Sequence, residues 1–396
     1  MEDKIIIIGG GTGGLAMALF LNRAGIKSEI YEKASEFKNV GASYGLHRNG
    51  VHVMQTLGLE KQLKENSHEL SRYVFKDTSG EIVLDSETLD IDSSIFDDMI
   101  YISRHHMIDI LYQEVQRQGI EVHFSKELSS LEQDESSVTA FFTDDSEATG
   151  SLLIGADGTN SKTRPLIFPY EPLRYNGIWA VFGMGVSGEI GDAEKFLEHD
   201  YIAGYFKDDF NMTISKHHPT DGERLSWIFI QNQDRKVPKK YFEEKPEDAF
   251  RKELAEKFND FKEPIKELIL KSSTFSPQHV FNVGMLPTFS FGRVALIGDA
   301  LQTTDPYSGM GTTLSLEDGM YLARMLRDHS DYEDAFYYYE YDRKDIVRQV
   351  HKETERMKNL GLDDYEPFLK GEYSDKEDPM DNFMADMTKV YWEEYE

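Results

Sequence analysis

Gly9, Gly11 and Gly14, in the spacing G-x-G-x-x-G, are the first residues whose arrangement could do chemistry. Each has its own physical task. The first permits a tight turn, the second lets a pyrophosphate approach the backbone, and the third lets a helix pack closely on a strand. A helix opening there, through Thr12, Gly13 and Leu15, offers unpaired N–H groups and the positive end of its dipole to phosphates. Glu32, followed by Lys33, can accept both hydroxyls of a ribose. Losing that carboxylate is expected to cost about 1.5–3 kcal/mol of nucleotide binding, as for hydrogen bonds to charged groups. The motif fits NAD and FAD alike.

The elements that must position these residues are legible around them. Lys4–Ile8 is a short β-branched run stopping at glycine, a buried parallel strand. Leu15–Ala24 reads as a helix ended by Gly25, and Lys27–Glu32 as a second strand, so the chain opens as a βαβ unit. A helix is expected around Gly50–Leu63, a hairpin over Tyr73–Leu84, and a helix over Met107–Gln118. Strands are expected at Glu121–Phe124, Ser137–Thr143 and Leu152–Ile154. An aromatic-rich middle block follows, with strands at Ile178–Val186, Tyr201–Phe206, Asn211–Lys216 and Leu225–Gln231, then a helical region over Pro246–Lys271. Arg293–Ile297 is again a buried strand running into glycine, followed by helices over Leu314–Arg327 and Tyr332–Leu360.

Two later segments carry further chemistry. The run Gly155-Ala156-Asp157-Gly158-Thr159-Asn160-Ser161-Lys162-Thr163-Arg164 resembles the GADGxxSxxR motif of single-component FAD aromatic hydroxylases, the para-hydroxybenzoate-hydroxylase-like flavin monooxygenases. Gly298-Asp299-Ala300, followed by Pro306, Gly309, Gly311 and Glu317-Asp318, is similar to that family's GDAAHxxxPxxGxGxxxxxED segment. Arg104 matches its FAD-contacting arginine, and Leu46, Asn49 and Gly50 resemble its passage from loop to helix after the second strand. The likeness spans about residues 4–350. Leu301-Gln302 stands where the family has Ala-His, and Thr312-Thr313 where x-Asn is common.

The resemblance implies FAD as cofactor, NAD(P)H as a transient co-substrate, and an aromatic or polycyclic small molecule as substrate. It implies O2 adding at flavin C4a, with the hydroperoxide transferring one oxygen. It also implies that Asp299 holds ribityl hydroxyls and that the loop from Pro306 through Gly309, Gly311 and Thr312 turns its free N–H groups, which the proline itself lacks, to the flavin pyrimidine edge. The Asp157-Gly158 turn would serve FAD and NAD(P)H; beside this stands a purely structural reading of the same residues, in which Arg164 pairs with Asp157. No side chain is identified as catalytic. The readings kept beside this one are an FAD-dependent reductase of isoprenoid-type double bonds and a non-catalytic flavin-binding protein.

Composition narrows the field. The net charge of −29 repels phosphate backbones, so no nucleic-acid partner is expected. There is no cysteine, which excludes a disulfide framework, thiolate metal sites, iron–sulfur clusters and flavin disulfide reductase chemistry. No metal site is expected: the pairs His105-His106 and His217-His218 are adjacent and point apart, and His217 reads as a solvent-exposed or hydrogen-bonded residue. Gly41-Ala42-Ser43-Tyr44-Gly45 formally matches a nucleophile elbow, but the polar Glu36–Val40 stretch is not the buried strand an elbow needs. No run is long enough to span a membrane, the acidic start differs from a signal peptide, and a cytoplasmic monomer or homodimer is expected.

The expected fold class is α/β: a Rossmann-type FAD-binding domain with an inserted mixed-sheet substrate domain and C-terminal helices. The boundaries are 1–72, 99–165 and 290–328 for the FAD-binding domain, and 73–98 and 166–289 for the substrate domain. Residues 329–396 form C-terminal helices and an acidic tail, in which Met380, Phe383, Met384, Met387, Val390 and Tyr391 fall at helical spacing, as a docking helix would.

Overall fold

The computed structural model describes residues 4–37, 43–69, 72–88, 99–207, 210–220, 222–233 and 244–358, with Leu360, Asp364, Pro367, Trp392 and Glu393. The chain enters through β1 (Ile5–Ile8), four buried isoleucines, and turns into α1 (Thr12–Arg23) and β2 (Ser28–Tyr31). Then come β3 (Ser43–Leu46), α2 (Arg48–Thr56), α3 (Glu60–Glu65) and β4 (Ser67–Glu69). One helix was expected over Gly50–Leu63. It is two, because Gly58 takes a φ of +77° and breaks the helix.

The hairpin is β5 (Tyr73–Lys76) and β6 (Ile82–Asp85). β7 (Ile100–Ser103) feeds α4 (Arg104–Arg117), whose first turn is capped by Ser103 Oγ accepting the His106 N–H. β8 (Glu121–His123), β9 (Leu128–Gln133), β10 (Val138–Phe142), β11 (Glu147–Gly150) and β12 (Leu152–Gly155) precede α5 (Thr163–Ile167). β9 and β11 were not anticipated: their polar, half-exposed residues flank β10 and carry little hydrophobic signal.

The middle of the chain supplies β13 (Arg174–Val186), β14 (Ile202–Lys207), β15 (Phe210–His217) and β16 (Arg224–Asn232). Helices α6 (Glu247–Glu256) and α7 (Ile265–Lys271) and strand β17 (Thr274–Asn282) follow. β18 (Ser290–Phe291), β19 (Val294–Leu296), α8 (Gly311–Asp328) and α9 (Tyr332–Lys358) complete it.

Two large sheets organise these elements. The first has the order β18–β19–β12–β1–β2–β8 and is parallel except at β18. α1 and α8 pack together beside it so closely that a Cβ on Gly319 would lie 2.9 Å from the Gly13 carbonyl. The second has the order β17–β13–β16–β15–β14–β5–β6 and is antiparallel except for β14–β5.

Alternation gives the second sheet two faces. Trp179, Val181, Leu225, Trp227 and Phe229 bury one face under Phe250, Leu254, Leu268 and Ile269 of α6 and α7. The opposite face carries Ile178, Ala180, Ile230, Phe182, Ile228 and Val280. Of two short sheets, β11–β10–β9 lies beside β1 of the first, and β3–β7–β4 sets β7 and β4 against β15 of the second.

The tail helix expected around Met380–Tyr391 lies outside the described residues. Trp392 beyond it is buried, its ring 5.0 Å from that of Phe20 on α1 and 4.4 Å from the Arg327 guanidinium on α8.

Candidate cofactor and substrate site

The parallel register of the first sheet sets the site. Ile8 pairs with Tyr31 and with Gly155, and Gly155 pairs with Leu296. The residues that follow, Gly9, Glu32, Ala156-Asp157 and Gly298-Asp299, therefore emerge together at one carboxyl edge, where open α/β sheets bind ligands. Three stretches far apart in sequence meet there.

Each glycine of the first motif has a distinct environment. Gly9 has a φ of +108°, and a Cβ on it would lie 2.4 Å from the Ala156 carbonyl oxygen. A Cβ on Gly14 would lie 2.1 Å from the Gly9 carbonyl oxygen, so helix and turn touch. A Cβ on Gly11 would meet nothing within 4 Å. The backbone is bare on that side, at the start of α1, as the close approach of a pyrophosphate would require. Glu32 faces the same turn: its Oε2 accepts the Gly10 N–H at 2.7 Å and its Oε1 the Ala34 N–H at 2.8 Å. Thr12, Gly13 and Leu15 open the helix, and Lys33 follows Glu32 at the rim.

The second motif differs from expectation at Arg164. Asp157 caps α5 instead of pairing with it. Its Oδ2 accepts the N–H groups of Lys162 (2.7 Å) and Thr163 (3.0 Å), and its Oδ1 the Ser161 hydroxyl (2.6 Å). Arg164 is buried and donates to the carbonyls of Thr159, Asp299 and Ala300, at 2.8, 3.3 and 3.0 Å. It ties the second motif to the third, because a planar guanidinium can bridge several backbone carbonyls at once. Asp299 accepts the Thr159 hydroxyl at 3.1 Å, and burial raises its pKa, opposed by the Arg104 and Arg164 charges. Arg104 is exposed at the start of α4, its charge reaching Asp299 and the partly buried Tyr44.

The third motif is held from behind by one residue the sequence reading missed, Arg343. Arg343 of α9 donates to Asp318 Oδ1 and Glu317 Oε2, each at 3.0 Å, all three nearly inaccessible to solvent. Asn49 Nδ2 donates to the other Glu317 oxygen at 2.9 Å, and Asp318 Oδ2 accepts the Gly298 N–H at 3.0 Å. The Glu-Asp pair thus fixes the turn carrying Asp299, whose Gly298 has a φ of +56°. The only sequence signal for Arg343 would have been a lone arginine on the buried face of a long helix.

The Pro306–Gly311 loop is fixed by His47, whose Nε2–H donates to the Ser308 carbonyl at 3.1 Å and whose N–H donates to Thr313 Oγ1 at 3.2 Å. Burial pushes the His47 pKa down to about 4, so it is a neutral donor. Gly309, Gly311 and Thr312 are partly accessible, and Thr312 lies beside the Tyr44 hydroxyl. Asp305, just before Pro306, is buried. Asn176 Nδ2 donates to it, and burial pushes its pKa up to about 6, opposed by Lys358.

Across from the loop stands the second face of the large sheet. Ser43 N–H donates to Ser226 Oγ at 3.2 Å, and Ser43 Oγ lies 3.5 Å from His217 Nδ1. Ser43 therefore opens an antiparallel strand against the sheet and is not the strand-to-helix turn of a nucleophile elbow. His217 is fully buried, and burial lowers its pKa to about 3. Among the described residues Glu29, Glu121 and His123 offer atoms within 4.8 Å of one another. Glu29 is already engaged by Lys4 Nζ (2.7 Å) and by Tyr31 OH (2.5 Å). No helix among the described residues is long and apolar enough to cross a membrane.

The profile of a family described as FAD binding domain matches residues 2–354. An FAD-dependent urate hydroxylase of Klebsiella pneumoniae is 29% identical over 357 residues, covering 88% of this chain and 87% of that one. A 6-hydroxynicotinate 3-monooxygenase of Bordetella bronchiseptica is 26% identical, covering 89% and 90%. The structure of Klebsiella pneumoniae HpxO complexed with FAD and uric acid superposes with a TM-score of 0.78 at 26% identity, covering 96% and 95%. These relatives fit the monooxygenase reading and neither the double-bond reductase nor the non-catalytic one.

Proposed function

We propose that this chain, which belongs to the FAD-binding-domain family and is an FAD-dependent monooxygenase, hydroxylates an aromatic heterocycle at the expense of NAD(P)H and O2. The observation that carries the reading is the convergence of the Gly11 turn, Glu32 and Asp299 at one sheet edge, with a bare backbone at Gly11.

Bound FAD supplies the redox chemistry, accepting reducing equivalents from NAD(P)H and activating O2. The chain's own residues bind and orient. Gly9, Gly11 and Gly14 with Thr12, Gly13 and Leu15 receive the pyrophosphate at the α1 N-terminus. Glu32, beside Lys33, holds the adenosine ribose. Asp299 holds ribityl hydroxyls, supported by Thr159. Arg104 adds positive charge from the α4 start. Gly309, Gly311 and Thr312, on the loop that Pro306 opens, would present backbone N–H groups to the pyrimidine edge, where negative charge would develop on reduction. Asp157 shapes the turn that NAD(P)H would visit. The substrate ring rests on Ala180, Phe182, Ile228 and Val280, an apolar surface that excludes water from the reacting centre.

The discontinuous FAD-binding domain (1–72, 99–165, 290–328), the substrate domain (73–98, 166–289) and the C-terminal part (329–396) belong to this reading. So does a cytoplasmic monomer or homodimer whose partners are small molecules. The test is NAD(P)H consumption by the purified yellow protein with urate, 6-hydroxynicotinate and related heterocycles under isotopically labelled O2. Substrate-stimulated consumption with one labelled oxygen in the product is expected. Consumption that no heterocycle stimulates, with no label in any product, overturns the proposal.

A further inference from the structure

We propose that Tyr307 is a specificity-determining residue: it is the end wall of the substrate cavity, latched shut onto the large sheet through Asn232. The inference rests on the flavin reading above, because it takes the 302–310 loop to border the flavin.

The loop crosses to the sheet at two neighbouring points. Tyr307 OH donates to Asn232 Oδ1 at 3.1 Å, and Asn211 is its other polar neighbour. Its ring packs against the cluster of Ile178, Ala180 and Ile230 on the face that α6 and α7 leave uncovered. Two residues earlier, the buried Asp305 receives the Asn176 side-chain amide. Asn176 is in turn held by Lys358 of α9, whose Nζ donates to its carbonyl at 2.6 Å. The loop base is therefore anchored, from the other side also by His47 on Ser308. The Tyr307 ring is held only by apolar contact and its hydroxyl.

The opposite end of this sheet face is covered differently. There Ser43 meets Ser226, and Tyr101 lies beside Ser215. Ser226 and Asn232 are six residues apart on β16, so the two closures stand roughly 20 Å apart along the strand. Between them lies the apolar floor of Ile228 and Ile230, paired across β13 with Phe182 and Ala180. The Ser43 end is strand against sheet and cannot yield without unpairing β3 from β7. The Tyr307 end is one side chain. The length of substrate admitted, and the access of solvent along the floor, are therefore set at Tyr307. A half-buried tyrosine suits this task, being apolar along its ring and polar at its tip.

The test uses the FAD-loaded protein and acrylamide as a neutral quencher of flavin fluorescence, which reads access to the flavin without turnover. Tyr307→Ala is expected to raise the quenching constant by about threefold or more, as opening a water-excluding closure does. Asn232→Ala removes only the latch and is expected to give a smaller rise. Equal quenching in wild type and both variants, at equal FAD content, overturns the proposal. If Tyr307→Ala does not fold, Asn232→Ala decides alone, since it leaves the loop intact. A wild-type protein that holds no FAD would instead sink the flavin reading, and its absorbance distinguishes the two failures.

Discussion

Arg343→Met is the most informative single change, because it removes one charge and strands two. Arg343 is 1% exposed, Glu317 1% and Asp318 0%, so none can recover a hydration shell. The arginine spans both carboxylates at 3.0 Å. After substitution Glu317 keeps Asn49 and Asp318 keeps the Gly298 N–H, but both charges are buried and uncompensated. Removing one partner of a buried ion pair costs about 3–5 kcal/mol. At roughly 2.1 cal/mol/K per residue, a chain of 396 residues carries an unfolding entropy near 0.8 kcal/mol/K, so the melting temperature should fall by roughly 4–6 °C. FAD content should fall too, because Asp318 holds the turn that bears Asp299. Arg343→Met combined with Glu317→Gln and Asp318→Asn removes the stranded charges and should recover most of the loss. Differential scanning calorimetry of all three proteins is the assay. A single variant melting within about 1 °C of wild type, or a triple variant no better than the single, would refute the reasoning.

Gly11→Val should abolish FAD retention while leaving the fold intact, because the new side chain enters the space left for a phosphate; Gly14→Ala should unfold the protein, its Cβ landing 2.1 Å from the Gly9 oxygen. Absorbance at the flavin band and circular dichroism separate the two. Asp305 has its pKa raised from 3.8 to about 6, so the folded state binds the extra proton. Stability from this group is complete below about pH 4 and is lost as the pH rises through about 6. Relative to Asp305→Asn, wild type should lose about 1.4 kcal/mol between pH 5 and 7.5, a relative melting shift of roughly 2 °C; parallel pH profiles would contradict this. Trp392→Ala should cost about 3 kcal/mol, as for a buried tryptophan, with FAD content unchanged; thermal melting and flavin absorbance read both.

Most of the cofactor edge was legible in the sequence, because its parts obey local rules. A β-branched run stopped by glycine can only be a buried strand and turn, and the spacing of Gly9, Gly11 and Gly14 assigned each a separate steric task that the fold gives it. What was not legible depends on contacts between distant residues. Asp157 and Arg164 were paired on charge, yet the aspartate serves the helix it precedes and the arginine reaches the Gly298 turn. No local pattern could reveal that choice. Arg343, His47 and Tyr307 were missed for the same reason: their partners lie 25, 261 and 75 residues away in sequence, on other elements. The strands β9 and β11 escaped because solvent-facing edges carry no apolar alternation.

The close seam between α1 and α8 has a consequence for how the molecule is made. Residues 12–23 leave the ribosome early, whereas the helix that covers them spans residues 311–328. At about 5–20 residues per second, the intervening stretch takes roughly 15–60 s to synthesise. During that time the apolar back of the nucleotide-binding turn has no lid. Nascent chains paused before residue 311 should therefore recruit chaperones and take up no flavin, and should acquire colour only once the late helix has emerged.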